Sequence, residues 1–283
     1  MIHTSKRSFK KAFSMLELVF VIVILGIVSS VGAELIASVY ESYIIQRAQH
    51  RASLKTEIAA TQIANRLAYA IPGTVVRRTG TTTTAEDIND IPASPVDSYT
   101  VLQWVGTDAD SFKTITTNTD RRPGWSGFCD VDNAASSLSG TTISTPGSNL
   151  GLASTIITNL GGNINNAAIY YESNKTLQRR DIASVSGTTI TLDDNLTNIS
   201  EHYKLAWTSY ALVVDAAGTL SLHYRFTPTR GIDVTNDLSS ILLRNVSTFK
   251  FKGDGRTIRF KICVDEEIGE DFKITICKEK AVF

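Results

Sequence analysis

The side chains able to do chemistry are sparse in this 283-residue sequence, and their spacing excludes most catalytic and metal-binding sites. His3, His50, His202 and His223 are scattered, with none four residues from another or beside a cysteine pair, so the spacing of a zinc site is missing. Gly124-Trp125-Ser126-Gly127 has the Gly-x-Ser start of a nucleophile elbow, but its second glycine comes one residue early and no order of triad partners can be assigned. Asp130-Val131-Asp132-Asn133 and Asp193-Asp194-Asn195 offer carboxylates to calcium without the central Gly and terminal acid of an EF-hand loop, and read more simply as solvated turns. The Gly-rich segments lack the lysine and the strand-to-helix context of a phosphate loop. The expectation is a protein with no enzymatic activity, no metal and no cofactor.

Two sets of residues remain. The first is Glu17, the single charge in the 21 residues from Phe13 to Ala33. A helix of about 20 apolar residues spans the hydrocarbon core at about 1.5 Å per residue. A carboxylate in such a span costs roughly 2.5–3.5 kcal/mol, which makes it a functional residue in search of a cation. The second set is Cys263 and Cys277. Pairing them directly places Val264 opposite Ile276 and Ile268 opposite Phe272, with Ile258, Phe260, Ile262 and Val264 sharing one face with Ile274 and Ile276. A cross-strand disulfide satisfies this register and an oxidising compartment together. Cys129, in Gly127-Phe128-Cys129-Asp130, is expected to be buried or unpaired, and an odd cysteine leaves other pairings open.

The elements that position these residues can be read from composition and pattern. Lys+Arg 28 balances Asp+Glu 28, with 42% hydrophobic residues, the profile of a globular chain and not of a disordered or multispan one. Zero net charge argues against a nucleic-acid partner. Arg77-Arg78, Arg121-Arg122 and Arg179-Arg180 are separated pairs and read as solvated surface. Charge is nonetheless uneven: residues 1–12 hold Lys6, Arg7, Lys10 and Lys11 and no acid, which leaves 24 basic against 28 acidic residues beyond them. Four basic residues before the span keep the leader cytoplasmic and put the chain beyond the span on the periplasmic or external side. No breaker appears between Ala33 and Pro72, so one helix from about Phe13 to Tyr69, on the order of 80–85 Å long, is predicted. Its later part carries an apolar stripe, Ala60, Ile63, Ala64, Leu67 and Ile71, opposite Lys55, Gln62 and Arg66. Pro72-Gly73 should end it.

Residues 73–165 are rich in Thr, Ser, Asn and Gly and read as long loops, with short strands at Tyr99–Val105 and Phe112–Ile115. This insert is expected to be solvated or to face a partner. Closely spaced strands come next, at Ala167–Glu172, Leu177–Val185, Thr188–Leu192, Tyr203–Val214, Thr219–Phe226, Leu242–Phe251, Thr257–Val264 and Phe272–Cys277. Asp215-Ala216-Ala217-Gly218 and Asp254-Gly255 are fitted to hairpins. The fold class is thus α+β: a long N-terminal helix, half membrane-spanning and half amphipathic, packed on an antiparallel sheet. Its parts are a basic leader (1–12), a transmembrane segment (13–33), an amphipathic stalk (34–71) and a β-rich head (72–283).

The order of basic leader, Phe13, Glu17 four residues later and an apolar helix resembles the type IV prepilin and type II secretion pseudopilin family. The resemblance implies cleavage by a prepilin peptidase between Ala12 and Phe13 and N-methylation of the new Phe13 amine. Glu17 would then pair with a neighbouring subunit's ammonium and set axial register. Implied partners are sibling subunits, an inner-membrane assembly platform and the bilayer, through residues 13–33. The implied place is the bacterial inner membrane and then a pilus or pseudopilus. Ala12 stands where the family usually has Gly, Met15 where Thr is frequent, and Glu34 where a Pro is common. Leu242–Phe251 after Leu220–Arg225 is loosely similar to the J-type minor pseudopilins, and the length also favours a minor subunit. Secretion and the pilus functions of motility, adhesion and DNA uptake stay open, as do a signal peptide cut near Ser30-Val31-Gly32, a signal-anchored binding protein and an adhesin or DNA-binding tip protein. Asn174 and Asn195 lie in stretches similar to bacterial N-glycosylation acceptors.

Overall fold

The computed structural model describes residues 14–133, 140–173, 176–195, 200–235, 238–268 and 272–283. It is an α+β molecule in which one long helix, α1 (Met15–Leu67), leads into antiparallel sheets. Ser14 caps α1, its side chain accepting from the Glu17 N–H at 3.2 Å. The helix stops before Pro72 because the chain joins a sheet: Ala70 bridges to Gly106 and the Ile71 N–H donates to the Val105 carbonyl at 2.9 Å.

The remaining elements are β1 (Val76–Arg78), β2 (Glu86–Asp87), β3 (Val101–Gly106), α2 (Ala109–Lys113), β4 (Thr142–Ser144), α3 (Leu150–Asn159), β5 (Ala168–Ser173), β6 (Thr176–Ser186), β7 (Thr189–Leu192), β8 (Lys204–Ala206), β9 (Thr208–Val214), β10 (Leu220–Phe226), β11 (Ser239–Leu243), β12 (Val246–Asp254), β13 (Thr257–Ile268) and β14 (Phe272–Val282). They form a six-stranded sheet, β11-β10-β9-β3-β1-β2, a three-stranded meander, β12-β13-β14, and a five-stranded sheet, β4-β7-β6-β5-β8.

The main core fills the angle between the first two sheets. Leu102, Trp104, Leu212, Leu220 and Leu222 of the six-stranded sheet meet Phe249, Phe251, Phe260 and Ile262 of the meander. The alternation of these residues along each strand puts them on one face. The end of α1 closes this core with Ala59, Ala60, Ile63 and Leu67, a stripe at helical spacing. Ala64 of the expected stripe is half-buried, while Lys55, Gln62 and Arg66 are exposed as expected.

Three expectations are corrected. Phe112–Ile115 is not a strand: Asp108 accepts from the Ser111 N–H and starts the short helix α2, the usual action of Asp at an N-cap. Leu242–Phe251 is two strands in two sheets. Asn245 turns between them at φ 59°, a conformation Asn tolerates, so that Leu243 and Val246 both point into the main core. Likewise Tyr203–Val214 breaks at Trp207, giving β8 to the five-stranded sheet and β9 to the six-stranded one.

The Thr/Ser-rich stretch is also more than solvated loop. Trp125, Cys129, Ile143, Leu150, Ala153 and Ile157 join Ile169, Ile182, Ile190 and Leu205 in a second core under the five-stranded sheet. Cys129 is buried there.

Of the arginine pairs, Arg77-Arg78 is buried within the fold and Arg179-Arg180 half-buried, whereas Arg121 and Arg122 are exposed as expected. Arg77 is buried, donates to Glu86 and to the Ile88 and Asp90 carbonyls, and stacks on Tyr99. Arg78, also buried, donates to Asp233 and to the Thr81 and Gly231 carbonyls. Arg122 pairs with Asp120 at 2.6 Å, and Arg179 pairs with Asp181. Replacing Arg78 by Met would leave carbonyl acceptors without their donor, a loss of about 1–3 kcal/mol. Chemical denaturation should register that loss, and a variant as stable as the parent would contradict the structural role.

Candidate assembly surface

From Met15 to Arg51, α1 is exposed apart from a few half-buried positions, and its first buried residue is Ala52. At 1.5 Å per residue this largely exposed portion extends roughly 55 Å. Its most apolar 18-residue window has no buried residue. Leu18, Phe20, Ile22, Ile24, Leu25, Ile27 and Val28 are each more than half exposed around the whole circumference. A helix apolar on all sides needs an apolar surrounding, which a bilayer or other such helices supply. Among the described residues there is therefore one helix long and apolar enough to cross a membrane, as an anchor or signal sequence does.

Glu17 sits at the third position of this helix, exposed, with Ser14 as N-cap. The Ser14-x-x-Glu17 spacing is that of a capping box, so Glu17 marks the helix start as well as carrying the charge, and a carboxylate there is favoured by the helix dipole. Ser14 is a helix-capping position that the charge pattern does not reveal and the capping spacing does. Ala12 and Phe13 lie outside the described residues.

The stalk portion is braced by the last hairpin. β12 stops pairing at Val246, opposite Val264, and beyond that point β13 and β14 run on as a two-stranded ribbon to the Ile268–Phe272 pair. Cys263 and Cys277 face each other in this register and form a disulfide beside the place where the third strand ends. The expected pairs Val264–Ile276 and Ile268–Phe272 are both present. Glu266 of the ribbon, with Arg47 and Arg51 of α1, lines a shallow depression against the helix. Farther along, Glu57 of α1 accepts from Lys280 and pairs with Lys278 at 3.5 Å. The Lys280 hydrogen bond, with the charge of both lysines, holds the Glu57 carboxyl below its ordinary range. A carboxyl lowered on folding stabilises above its unfolded pKa, so this α1–β14 tie should loosen as pH falls through the lowered value. Protection of the amides near Glu57, with each exchange rate taken relative to its intrinsic rate at that pH, compared at pH 7 and pH 3, checks it. Unchanged protection in Glu57→Gln across that range is the matching control.

The other candidates from the sequence have local structural roles. The Ser126 hydroxyl accepts from Ser148 at 3.1 Å and from the Phe128 N–H at 3.3 Å, while Trp125 donates to the Asp108 carbonyl. Asp130 accepts from the Asp132 N–H in a local turn. Among the described residues no group of three or more His, Cys, Asp or Glu side chains is placed to hold a metal. Asn195 is exposed, and Asn174 lies outside the described residues. Compared with models of protein families, with curated proteins and with solved structures, the chain has no match.

Proposed function

We propose that the chain is a non-enzymatic structural subunit, a minor pseudopilin or minor pilin, cut by a prepilin peptidase and assembled into a type II secretion pseudopilus or type IV pilus. The observation that supports this reading most strongly is the division of α1. Its last part is buried in a β-rich head, while its first part is free, apolar all round and charged only at Glu17 in the span. In the proposed mechanism the head stays on the periplasmic side and the helix waits in the inner membrane. Cleavage between Ala12 and Phe13 releases an ammonium at Phe13, and methylation keeps its charge. Glu17 of one subunit pairs with that ammonium on a sibling, since a paired charge is tolerated in an apolar surrounding where a lone one is not. Register is set by this pair, and residues 18–33 supply the apolar helix packing.

A photocrosslinking residue at Ile24, in the native membrane, should capture sibling subunits through their own apolar helices. Recovery of the monomer alone, with the protein expressed and inserted, would contradict assembly through α1.

A further inference from the structure

A groove of about 710 Å³ opens where the end of α1, the α2 segment and the six-stranded sheet meet, on the head and away from the free apolar helix. Three cations line it: Arg66, Lys113 and Arg225. Each lies over a tyrosine ring, Arg66 on Tyr210 at 5.4 Å, Lys113 on Tyr69 at 4.5 Å and Arg225 on Tyr224 at 6.0 Å. None of the three forms an ion pair among the described residues, whereas Arg77, Arg78, Arg122, Arg179 and Arg230 do. The rings hold the charges in place without neutralising them, as cation–π contacts do.

The floor has the opposite need. Thr107 and Asp108 line the groove; the Thr107 hydroxyl has no hydrogen-bond partner, and Asp108 Oδ2 has none at bonding geometry, with the Ser111 hydroxyl beside its carboxyl. Asp108 is 2% exposed, with its other oxygen accepting from the Ser111 N–H. A buried acceptor without a donor is unfavourable and is relieved by a ligand that brings one. Gln62 and Asn65 add amides at the α1 side, and Trp207 adds a flat apolar surface. The groove thus asks for a ligand with an anionic group for the rim, hydroxyl donors for the floor and an apolar face for the indole.

We infer that this groove is a binding site for an acidic saccharide, a short stretch of uronate-containing glycan. A phosphodiester chain would satisfy the cations but has few hydroxyl donors to offer the floor. A uronate sugar carries its carboxylate and its hydroxyls on one ring, and the C–H face of that ring stacks on an aromatic side chain. The orphan acceptors are shielded from bulk water, so the groove must adjust slightly for hydroxyls to reach them.

The full chain in detergent or nanodiscs, titrated calorimetrically with trigalacturonate, its methyl-esterified neutral form, a hyaluronan tetrasaccharide, a hexaglutamate peptide and a thymidine hexanucleotide, tests the assignment. At least one acidic saccharide is expected to bind saturably at one site. The esterified sugar should bind at least tenfold more weakly, and the combined Arg66→Gln and Lys113→Gln variant should lose at least tenfold. Thr107→Val removes an oxygen that bonds to nothing in the fold, so it should keep the parent melting temperature while binding several-fold more weakly. No binding by either acidic saccharide, equal binding of the ester, or tighter binding of the peptide or oligonucleotide would overturn the inference. So would unchanged affinity in the folded Thr107→Val and charge variants.

Discussion

Replacing Glu17 by Val should leave the protein in the membrane and remove it from filaments. The substitution deletes the only charge in the span, which lowers the cost of insertion by roughly 2.5–3.5 kcal/mol, so membrane recovery should stay equal or rise. Assembly should behave oppositely. Without the carboxylate the ammonium of a neighbouring subunit has no partner in an apolar surrounding, an uncompensated buried charge whose exposure costs about 3–5 kcal/mol. That is more than two decades in an association constant. Glu17→Gln separates charge from shape: it keeps the volume and much of the cap spacing with Ser14, and should fail as Val does, whereas Glu17→Asp should recover part of the incorporation. The quantity to measure is the fraction of the protein in sheared filaments or crosslinked to siblings, relative to its membrane content. Normal incorporation of the Val variant would assign Glu17 to helix capping alone.

The second large effect concerns the disulfide. A two-stranded ribbon is marginal in water by itself, and the segment past Val264 has no third strand to hold it. The Cys263–Cys277 bond closes the hairpin next to that point, and Lys273 pairs with Asp265 at 2.8 Å farther out. Changing both cysteines to Ser should cost roughly 2–4 kcal/mol, with the usual loop-closure contribution. A drop in melting temperature of about 5–10 °C is expected for a head of this size. Loss of protection should concentrate between residues 264 and 277, with the strands around Trp104 and Leu212 little changed, because the main core does not depend on the ribbon. Hydrogen exchange of the full chain, oxidised against doubly substituted, distinguishes this from a general loosening. Uniformly raised exchange would mean that the disulfide supports the whole head, and unchanged exchange that the ribbon is held by α1 alone.

The parts of this structure that are readable in the sequence are those where periodicity and turn chemistry agree. The last hairpin is the clearest: alternating Ile258, Phe260, Ile262 and Val264 admit only one register against Ile274 and Ile276 that also faces Cys263 with Cys277. Gly218 can likewise be placed, since it ends a turn at φ 72° and a side chain there would meet the Val246 carbonyl oxygen at 2.8 Å. Long α1 is visible because no breaker interrupts it. The second core is hidden by composition. Its apolar residues are spread singly among Thr, Ser and Asn, and α3 buries only Leu150, Ala153 and Ile157, a short stripe whose Asn149 cap is the one local signal. The corners at Trp207 and Asn245 are invisible because the residues on either side are good strand formers; only the competition of two sheets for one core decides that the chain must turn.

The assembly surface shows the same division. Glu17 stands out in sequence because a charge in an apolar run is costly, its bland reading being a tolerated acid near the interface, and Ser14 is found from the capping spacing. The groove with Arg66, Lys113 and Arg225 could not be foreseen, because those residues come from α1, α2 and β10 and meet only once the three elements pack.

The most direct measurement of the central claim is the mass of the N-terminal peptide of the protein isolated from its native host. The assembly account predicts a chain that begins at Phe13 with a methyl group on its amine. A chain that still begins at Met1 would contradict it and favour a signal-anchored protein, and one that begins near Ala33 would contradict it in favour of an exported head.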